Sequence, residues 1–272
     1  MEMEVTRRDI NVKAARSRSQ YFLIDDAVTA RLVDYAGVER GDVVLEIGAG
    51  GGSITGKLAD KAKKVYAVEK DKELCETLRA QYENKKNKAE VKVRVIEGNI
   101  MKIELPEFDK VVANIPFSLS SPITYKLLLH DPGFGLAVLL YQKEFAQKMT
   151  AKPGSSLYGR LSVIVQALAD TEILELVHRD AFYPSPPVKT VIVRLKEKGL
   201  IANKKEFFEF VTTAFEHRRK KMRNTFKTRF GLSGSSALEQ LARRPEELSP
   251  DDFVRLFFKF RNNFWGKKYP HC

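Results

Sequence analysis

Two short stretches of this chain carry side chains whose types and spacing could do chemistry. One is Glu46-Ile47-Gly48-Ala49-Gly50-Gly51-Gly52, and the other is Asn114-Ile115-Pro116-Phe117. Glycines alternating between a strand and a helix let the backbone turn tightly and approach a ligand with no side chain between. The same glycines can also serve only to pack a strand on its helix, so the loop alone names no ligand. Glu69 adds to it: this acid ends the next apolar run, 19 residues past Gly50, where a carboxylate in dinucleotide folds accepts ribose hydroxyls. The spacing, however, is G-x-G-x-G and not G-x-G-x-x-G, and Glu46 places an acid inside the motif. An anion there disfavours a pyrophosphate and suits a cationic amino-acid moiety. That combination favours S-adenosylmethionine over NAD as the cofactor.

The second stretch completes the reaction. An adenine amine is a poor nucleophile, because its lone pair is delocalised into the ring. Acceptors on its two N–H groups would draw it towards tetrahedral geometry, and the Asn114 side-chain oxygen and the Pro116 carbonyl are candidates. Proline restricts the loop so that this carbonyl can point inward. Phe117 can stack on the base, a contact worth about 1 to 3 kcal/mol. An Asn-Pro turn beside a core phenylalanine is common elsewhere, but here it follows directly on an apolar run, Lys110 to Ala113, that reads as a strand of the same sheet. The chemistry implied is methyl transfer to an adenine amine.

These residues need a scaffold that brings strand ends together. Val43 to Ile47, Val65 to Glu69, Val91 to Glu97, Lys110 to Ala113 and Leu136 to Gln142 read as buried strands. Between them, Asp26 to Ala36, Ser53 to Ala62 (with Ser53 as the expected N-cap), Lys72 to Tyr82 and Ile123 to Leu129 have helical spacing. Alternation of this kind predicts a parallel sheet with helices on both faces. Ligands of such sheets bind at the carboxyl ends of the strands, where Glu97-Gly98-Asn99-Ile100 also ends a run; Asn99 could accept the cofactor's adenine amine there. Thr171 to Val177 and Lys189 to Leu195 read as two further strands joined by a proline-rich loop, and beyond Asn203 every signal is helical.

Composition bounds the class. The chain has 272 residues, 43% hydrophobic and 30% charged, which is globular composition and long enough for one or two domains. No apolar run reaches the ~18 residues of a membrane span. Its two cysteines, Cys75 and Cys272, are too few and too far apart for a disulfide framework or a zinc site, so a reducing cytoplasm is expected. The net charge is +12, and residues 203–272 hold 16 Lys/Arg against 8 Asp/Glu, which puts +8 of it in the last quarter. Within that quarter, His217 to Arg229 has seven basic residues and no acid. A solvated helix face would look the same, but the skew favours a phosphate-backbone partner, with Arg218, Arg219, Lys220, Lys221 and Arg223 as the contacts.

Taken together, these motifs resemble the ribosomal RNA adenine dimethyltransferases, and within them the small-subunit dimethyladenosine transferases. The likeness runs from Ser19-Gln20-Tyr21-Phe22-Leu23-Ile24-Asp25 through Tyr158-Gly159-Arg160-Leu161-Ser162 and Phe182-Tyr183-Pro184-Ser185-Pro186-Pro187-Val188-Lys189 to Arg194. His217 to Asn224 resembles the opening of that family's C-terminal helical domain. The resemblance implies a Rossmann-like α/β methyltransferase sheet with a small C-terminal all-α domain. A basic tail would span 1–19, a catalytic domain 20–199 and an RNA-binding domain 200–272. By the same likeness, Gln20, Tyr21 and Leu23 would close over S-adenosylmethionine, with Glu46, Gly48, Gly50, Glu69, Asn99, Ile100 and Asn114 also in its site. Asn114, Pro116, Phe117 and Phe182 would be the catalytic set, Phe182 being the second aromatic against the base. The implied reaction is dimethylation of adjacent adenosine N6 amines in small-subunit ribosomal RNA, on the immature small ribosomal subunit, by a monomer that needs no metal and no membrane. An Erm-like enzyme of large-subunit RNA, a DNA adenine methyltransferase and a mainly non-enzymatic assembly factor are the alternatives. The chain departs from the family pattern at Tyr21, Asn99, Ile115 and Phe117, where Asn, Asp, Leu and Tyr are usual.

Overall fold

A computed structural model of the chain describes residues 21–83, 92–230 and 241–261, so the expected tail and Gln20 lie outside the described residues. The strands are β1 (Phe22–Leu23), β2 (Val43–Ile47), β3 (Lys64–Glu69), β4 (Val93–Glu97), β5 (Lys110–Asn114), β6 (Leu136–Gln142), β7 (Ala169–Val177), β8 (Phe182–Tyr183) and β9 (Thr190–Glu197). Seven of them form one sheet in the order β4-β3-β2-β5-β6-β9-β7. The five from β4 to β6 run parallel, and β9 is antiparallel to β6. Successive side chains of a strand point to opposite faces. In β2, β5 and β6 the residues Val44 to Ile47, Val111 to Ala113 and Ala137 to Tyr141 are all buried, so both faces of the sheet centre are covered. Such strands read as continuous apolar runs rather than alternating ones.

The helices preceding and crossing between the parallel strands are α1 (Asp26–Tyr35), α2 (Ser53–Lys61), α3 (Lys72–Tyr82) and α4 (Ser120–Leu128). Asp25 caps α1 by accepting from the N–H groups of Ala27 and Val28, and Asp71 caps α3 in the same way. At α2 the expected cap is displaced by one residue. Gly52 holds the cap position at φ 87°, a left-handed conformation that favours glycine, and Ser53 is the first helical residue with no capping bond. A Cβ on Gly52 would also lie 3.0 Å from Leu78 Cδ2.

Two further helices, α5 (Lys143–Met149) and α6 (Arg160–Leu168), lie between β6 and β7 in the chain, and α7 (Lys204–Ala214), α8 (Met222–Phe230) and α9 (Pro250–Phe260) follow the sheet. The chain divides into two compact units, and the division differs from the expected boundary at residue 200. Described residues up to Ala146 together with Glu172–Glu197 form the first unit, whereas Gln147–Thr171 joins the residues from Lys198 onward. Polar ties account for this. The Tyr158 hydroxyl donates to the Leu248 carbonyl at 2.6 Å, and Lys198 Nζ donates to the Gln166 carbonyl at 2.7 Å. The second unit is centred on aromatic rings: Phe210 meets Phe226 at 5.1 Å, Phe260 at 5.5 Å and Phe257 at 5.7 Å.

Candidate functional site

Parallel pairing brings the interesting residues to one edge of the sheet. Ile47 pairs with Val68 and Ala113, Glu69 with Glu97, and Asn114 with Leu140, so Gly48, Glu69, Asn99 and Asn114 all stand at the carboxyl ends of β2, β3, β4 and β5. The glycine loop and the Asn-Ile-Pro-Phe loop are adjacent. A Cβ on Gly48 (φ 74°) would lie 3.7 Å from the Asn114 carbonyl oxygen and 4.0 Å from Pro116 Cδ. Gly50 (φ 56°) is covered by a ring: its Cβ would fall 3.2 Å from Phe22 Cδ1.

Glu69 is largely buried and organises the loop around it. Its Oε2 accepts from the Gly50 N–H at 2.9 Å, and its Oε1 accepts from Lys70 N at 2.7 Å and Asp71 N at 2.9 Å. A carboxylate offers about four lone-pair directions. Three are taken by backbone, and the free one is on Oε2. The expectation that Glu69 accepts both ribose hydroxyls on unused oxygens is therefore narrowed to one further donor unless a backbone bond is shared.

Glu46 sits within β2 at 1% exposure. Its Oε2 accepts from Thr55 Oγ1 at 2.6 Å, while Oε1 is buried with no hydrogen-bond partner among the described residues. Burial, reinforced by the Glu69 charge, pushes its carboxyl up to about 8, against an ordinary 4.5. At neutral pH it is thus protonated, in contrast to the anion expected from its type. Asn99 spends its Oδ1 locally, accepting from Met101 N at 3.0 Å. Ile100 is buried at 6% exposure.

In the second loop, Asn114 Nδ2 donates to the Tyr21 carbonyl at 2.7 Å. This bond leaves the Asn114 Oδ1 as the acceptor that faces elsewhere. The Pro116 carbonyl accepts from Leu119 N at 2.8 Å and keeps one lone pair. Phe117 is partly exposed, and its ring lies 5.1 Å from that of Tyr21, tilted by 32°. A buried relay that sequence reasoning missed holds this loop: Ser120 Oγ donates to the Phe117 carbonyl, Thr124 Oγ1 donates to the Ser120 carbonyl, and the Tyr141 hydroxyl meets Thr124 Oγ1 at 2.7 Å. Since the Thr124 proton is used on Ser120, Tyr141 is the donor of that last bond. Ser120 and Thr124 are one helical turn apart in α4, and it is the packing of α4 on β6 that brings Tyr141 to them from 17 positions further on.

Phe182 is a correction. Its ring is 1% exposed and lies in the hydrophobic core with Leu23, so the structure does not offer it to a base. The reason is the two-stranded ladder of β1 and β8, in which Leu23 pairs with Phe182 and Phe22 with Tyr183. Residues directly opposite in an antiparallel pair project to the same side. Leu23 and Phe182 therefore go inward together, and the other side carries Phe22 and Tyr183. Leu23, expected over the cofactor, has a core side chain, and Phe22 is the ring on the glycine loop. The alternation within Tyr21-Phe22-Leu23 held this signal, but a two-residue strand is too short to show a period.

In the basic segment one member is engaged within the fold. Arg218 is a tie within its own unit: Nε meets Glu246 Oε2 at 2.8 Å, and its two Nη groups donate to the carbonyls of Ser156 and Ser155 at 3.1 Å each. Arg219, Lys220, Lys221 and Arg223 are exposed. Along α8, Met222, Thr225 and Phe226 turn inward, while Arg223, Lys227 and Arg229 face outward. None of these six outward cations pairs with an acid among the described residues. No described helix is long and apolar enough to cross a membrane.

Comparison with known proteins adds to this geometry. The family model described as ribosomal RNA adenine dimethylase matches residues 11–258. The probable ribosomal RNA small subunit methyltransferase A of Methanothermobacter thermautotrophicus is 40% identical over 262 residues, covering 92% of each chain. Its counterpart in Thermococcus sibiricus is 42% identical over 82% of this chain and 79% of its own. Among solved structures, a dimethyladenosine transferase from Plasmodium falciparum aligns over 89% of this chain and 98% of its own, with TM-score 0.75 and 30% identity. The 23S rRNA methyltransferase ErmE aligns over 88% and 98%, with TM-score 0.64 and 26% identity.

Proposed function

The chain belongs to the ribosomal RNA adenine dimethylase family, and on that premise we propose that it transfers methyl groups from S-adenosylmethionine to adenosine N6 amines of small-subunit ribosomal RNA, two per base. The observation that carries this reading is the contact of the two loops. Gly48 lies beside Asn114 and Pro116, so a cofactor on the glycine loop and an amine on Asn114 would be neighbours, as direct transfer requires.

The residues present suit the cofactor. Glu69 has one acceptor site to spare, Gly48 presents backbone with no side chain, and the unpartnered Oε1 of Glu46, buried in β2, becomes an acceptor when its carboxyl gives up its proton to suit a cation. S-adenosylmethionine, when bound, supplies an electrophilic methyl on a sulfonium. The chain's own part is binding and aim. Asn114 Oδ1 and the remaining Pro116 lone pair accept hydrogen bonds from the two amine N–H groups, and Phe117 stacks on the base. Bases in an RNA loop can be splayed into such a site at lower cost than from a duplex. No dedicated base is required, because the proton can leave after methyl transfer. The outward cations from Arg219 to Arg229 would track phosphates, which position RNA without reading its bases. The natural substrate is then an immature small ribosomal subunit in the cytoplasm, met by a monomer.

The test is methylation of small and large ribosomal subunits from an undermethylated source, with dimethyladenosine mapped in each RNA. Label in small-subunit RNA, lost in Asn114→Ala, is the expected result. Label only in large-subunit RNA would transfer the reading to an Erm-like substrate. An Asn114→Ala protein that still matures small subunits would assign it mainly to assembly.

A further inference from the structure

Tyr21 touches both side chains of the target loop. Its carbonyl accepts the Asn114 Nδ2 bond, and its ring lies against that of Phe117. The intervening residues of that loop offer only backbone and a proline ring, so Asn114 and Phe117 are the two side chains that would meet an adenine. We infer that Tyr21 is a positioning residue for the target base: its carbonyl selects the amide face that Asn114 presents, and its ring sets the plane of Phe117. This rests on the reading of Asn114 to Phe117 as the target loop.

Three features support it. First, the backbone at Tyr21 is held. It runs straight into the β1–β8 ladder, and the next two N–H groups, of Ile24 and Asp25, donate to the Ala181 carbonyl at 2.8 and 3.3 Å. A carbonyl fixed in this way can select one orientation of a side-chain amide. Second, the neighbouring ring has a different target: Phe22 covers Gly50, on the cofactor side. Alternation along an extended chain sends Tyr21 and Phe22 to different sides, so one short segment serves the two loops separately. Third, the ring that could otherwise have formed an aromatic wall, Phe182, is buried in the core. Tyr21 is the aromatic side chain found in contact with Phe117 among the described residues. Phe117 is held through its carbonyl by Ser120 and through its ring by Tyr21, which fixes both its backbone and its plane.

Tyr21→Ala isolates the ring, because the carbonyl that orients Asn114 stays. Rates are read in single turnover with saturating S-adenosylmethionine and RNA, beside equilibrium binding of each. The expected result is a rate lowered about three- to tenfold, the range an aromatic pair of this kind supports, with both affinities within about twofold of wild type. Tyr21→Phe keeps the ring and should restore the rate. Tyr21→Leu keeps bulk without an aromatic face; it should behave as the alanine variant does, and it serves if that variant fails to fold. Weakened cofactor binding with an unchanged saturated rate would overturn the inference and return Tyr21 to the cofactor site. A wild-type rate in Tyr21→Leu would also overturn it, as would a Tyr21→Phe protein as slow as the others. Failure of the underlying reading looks different: wild-type protein itself would not methylate the RNA.

Discussion

Replacing Glu46 by Gln should change how stability depends on pH. Glu46 is 1% exposed, has one bonded and one unpartnered oxygen, and holds its proton up to about pH 8 because burial penalises the charge. The folded protein binds that proton more tightly than the unfolded chain does, for which 4.5 is the ordinary value. The associated stability is therefore complete below about pH 4.5 and is lost as pH rises from there through 8, at up to about 1.4 kcal/mol per pH unit. Over the full range the loss is on the order of 4 kcal/mol, and about half of that would still be a large share of a domain's total. Glutamine can accept the Thr55 bond through its oxygen and has no proton to lose. In urea titrations the two proteins should be similar near pH 5, and Glu46→Gln should be the more stable by at least about 2 kcal/mol at pH 9. Curves that stay parallel from pH 5 to 9 would show that Glu46 is not held protonated. The cofactor gives an independent check. A cationic amino-acid moiety placed near Glu46 would favour its anion, so S-adenosylmethionine binding to wild type at pH 7 should release protons, seen by calorimetry in buffers of different ionisation enthalpy. Glu46→Gln should release fewer.

Glu69→Ala should weaken S-adenosylmethionine binding by about 2 kcal/mol or more, since a charged acceptor is lost and three loop N–H groups lose their partner; unchanged affinity by calorimetry would remove Glu69 from the cofactor site. Asn99→Asp keeps the acceptor for Met101 N and adds charge, so cofactor affinity should hold or tighten, and a large loss would mean that the Asn99 amide donates a bond to the cofactor. In the basic segment the two classes of cation should separate. Arg218→Ala should cost about 1 kcal/mol of stability, because its partly exposed ion pair and two carbonyl bonds go, and should leave the salt dependence of RNA binding in place. Neutralising Lys220, Lys221 and Arg223 should instead lower the slope of log affinity against log salt by roughly one per lost phosphate contact, with stability unchanged. A wild-type slope in that triple variant would make the segment a solvated helix face.

The alternation of buried strands and amphipathic helices, the glycine loop, Glu69 at its following strand and the Asn-Ile-Pro-Phe turn were all written locally. Each depends on residues within a few positions of one another, and burial on both faces of a parallel strand leaves a mark in composition. The carboxyl-edge location of the site follows from the same pattern, since parallel strands joined by crossovers must end on one side. What the sequence could not decide was orientation. Phe182 and Tyr183 are neighbours with similar side chains, and only the pairing of β8 with β1, from 160 residues earlier, determines which of them enters the core. Arg218 and Arg219 are chemically identical, and one becomes a structural tie because Glu246 and the carbonyls of Ser155 and Ser156 reach it in the folded unit. Glu46 reads as an anion from its residue type; burial in the sheet interior is what keeps it neutral. Tyr21 joins Asn114 across 93 positions. A residue's capacity for chemistry lies in its own side chain, but its charge state, its partners and the side it faces are set by atoms brought near it by folding.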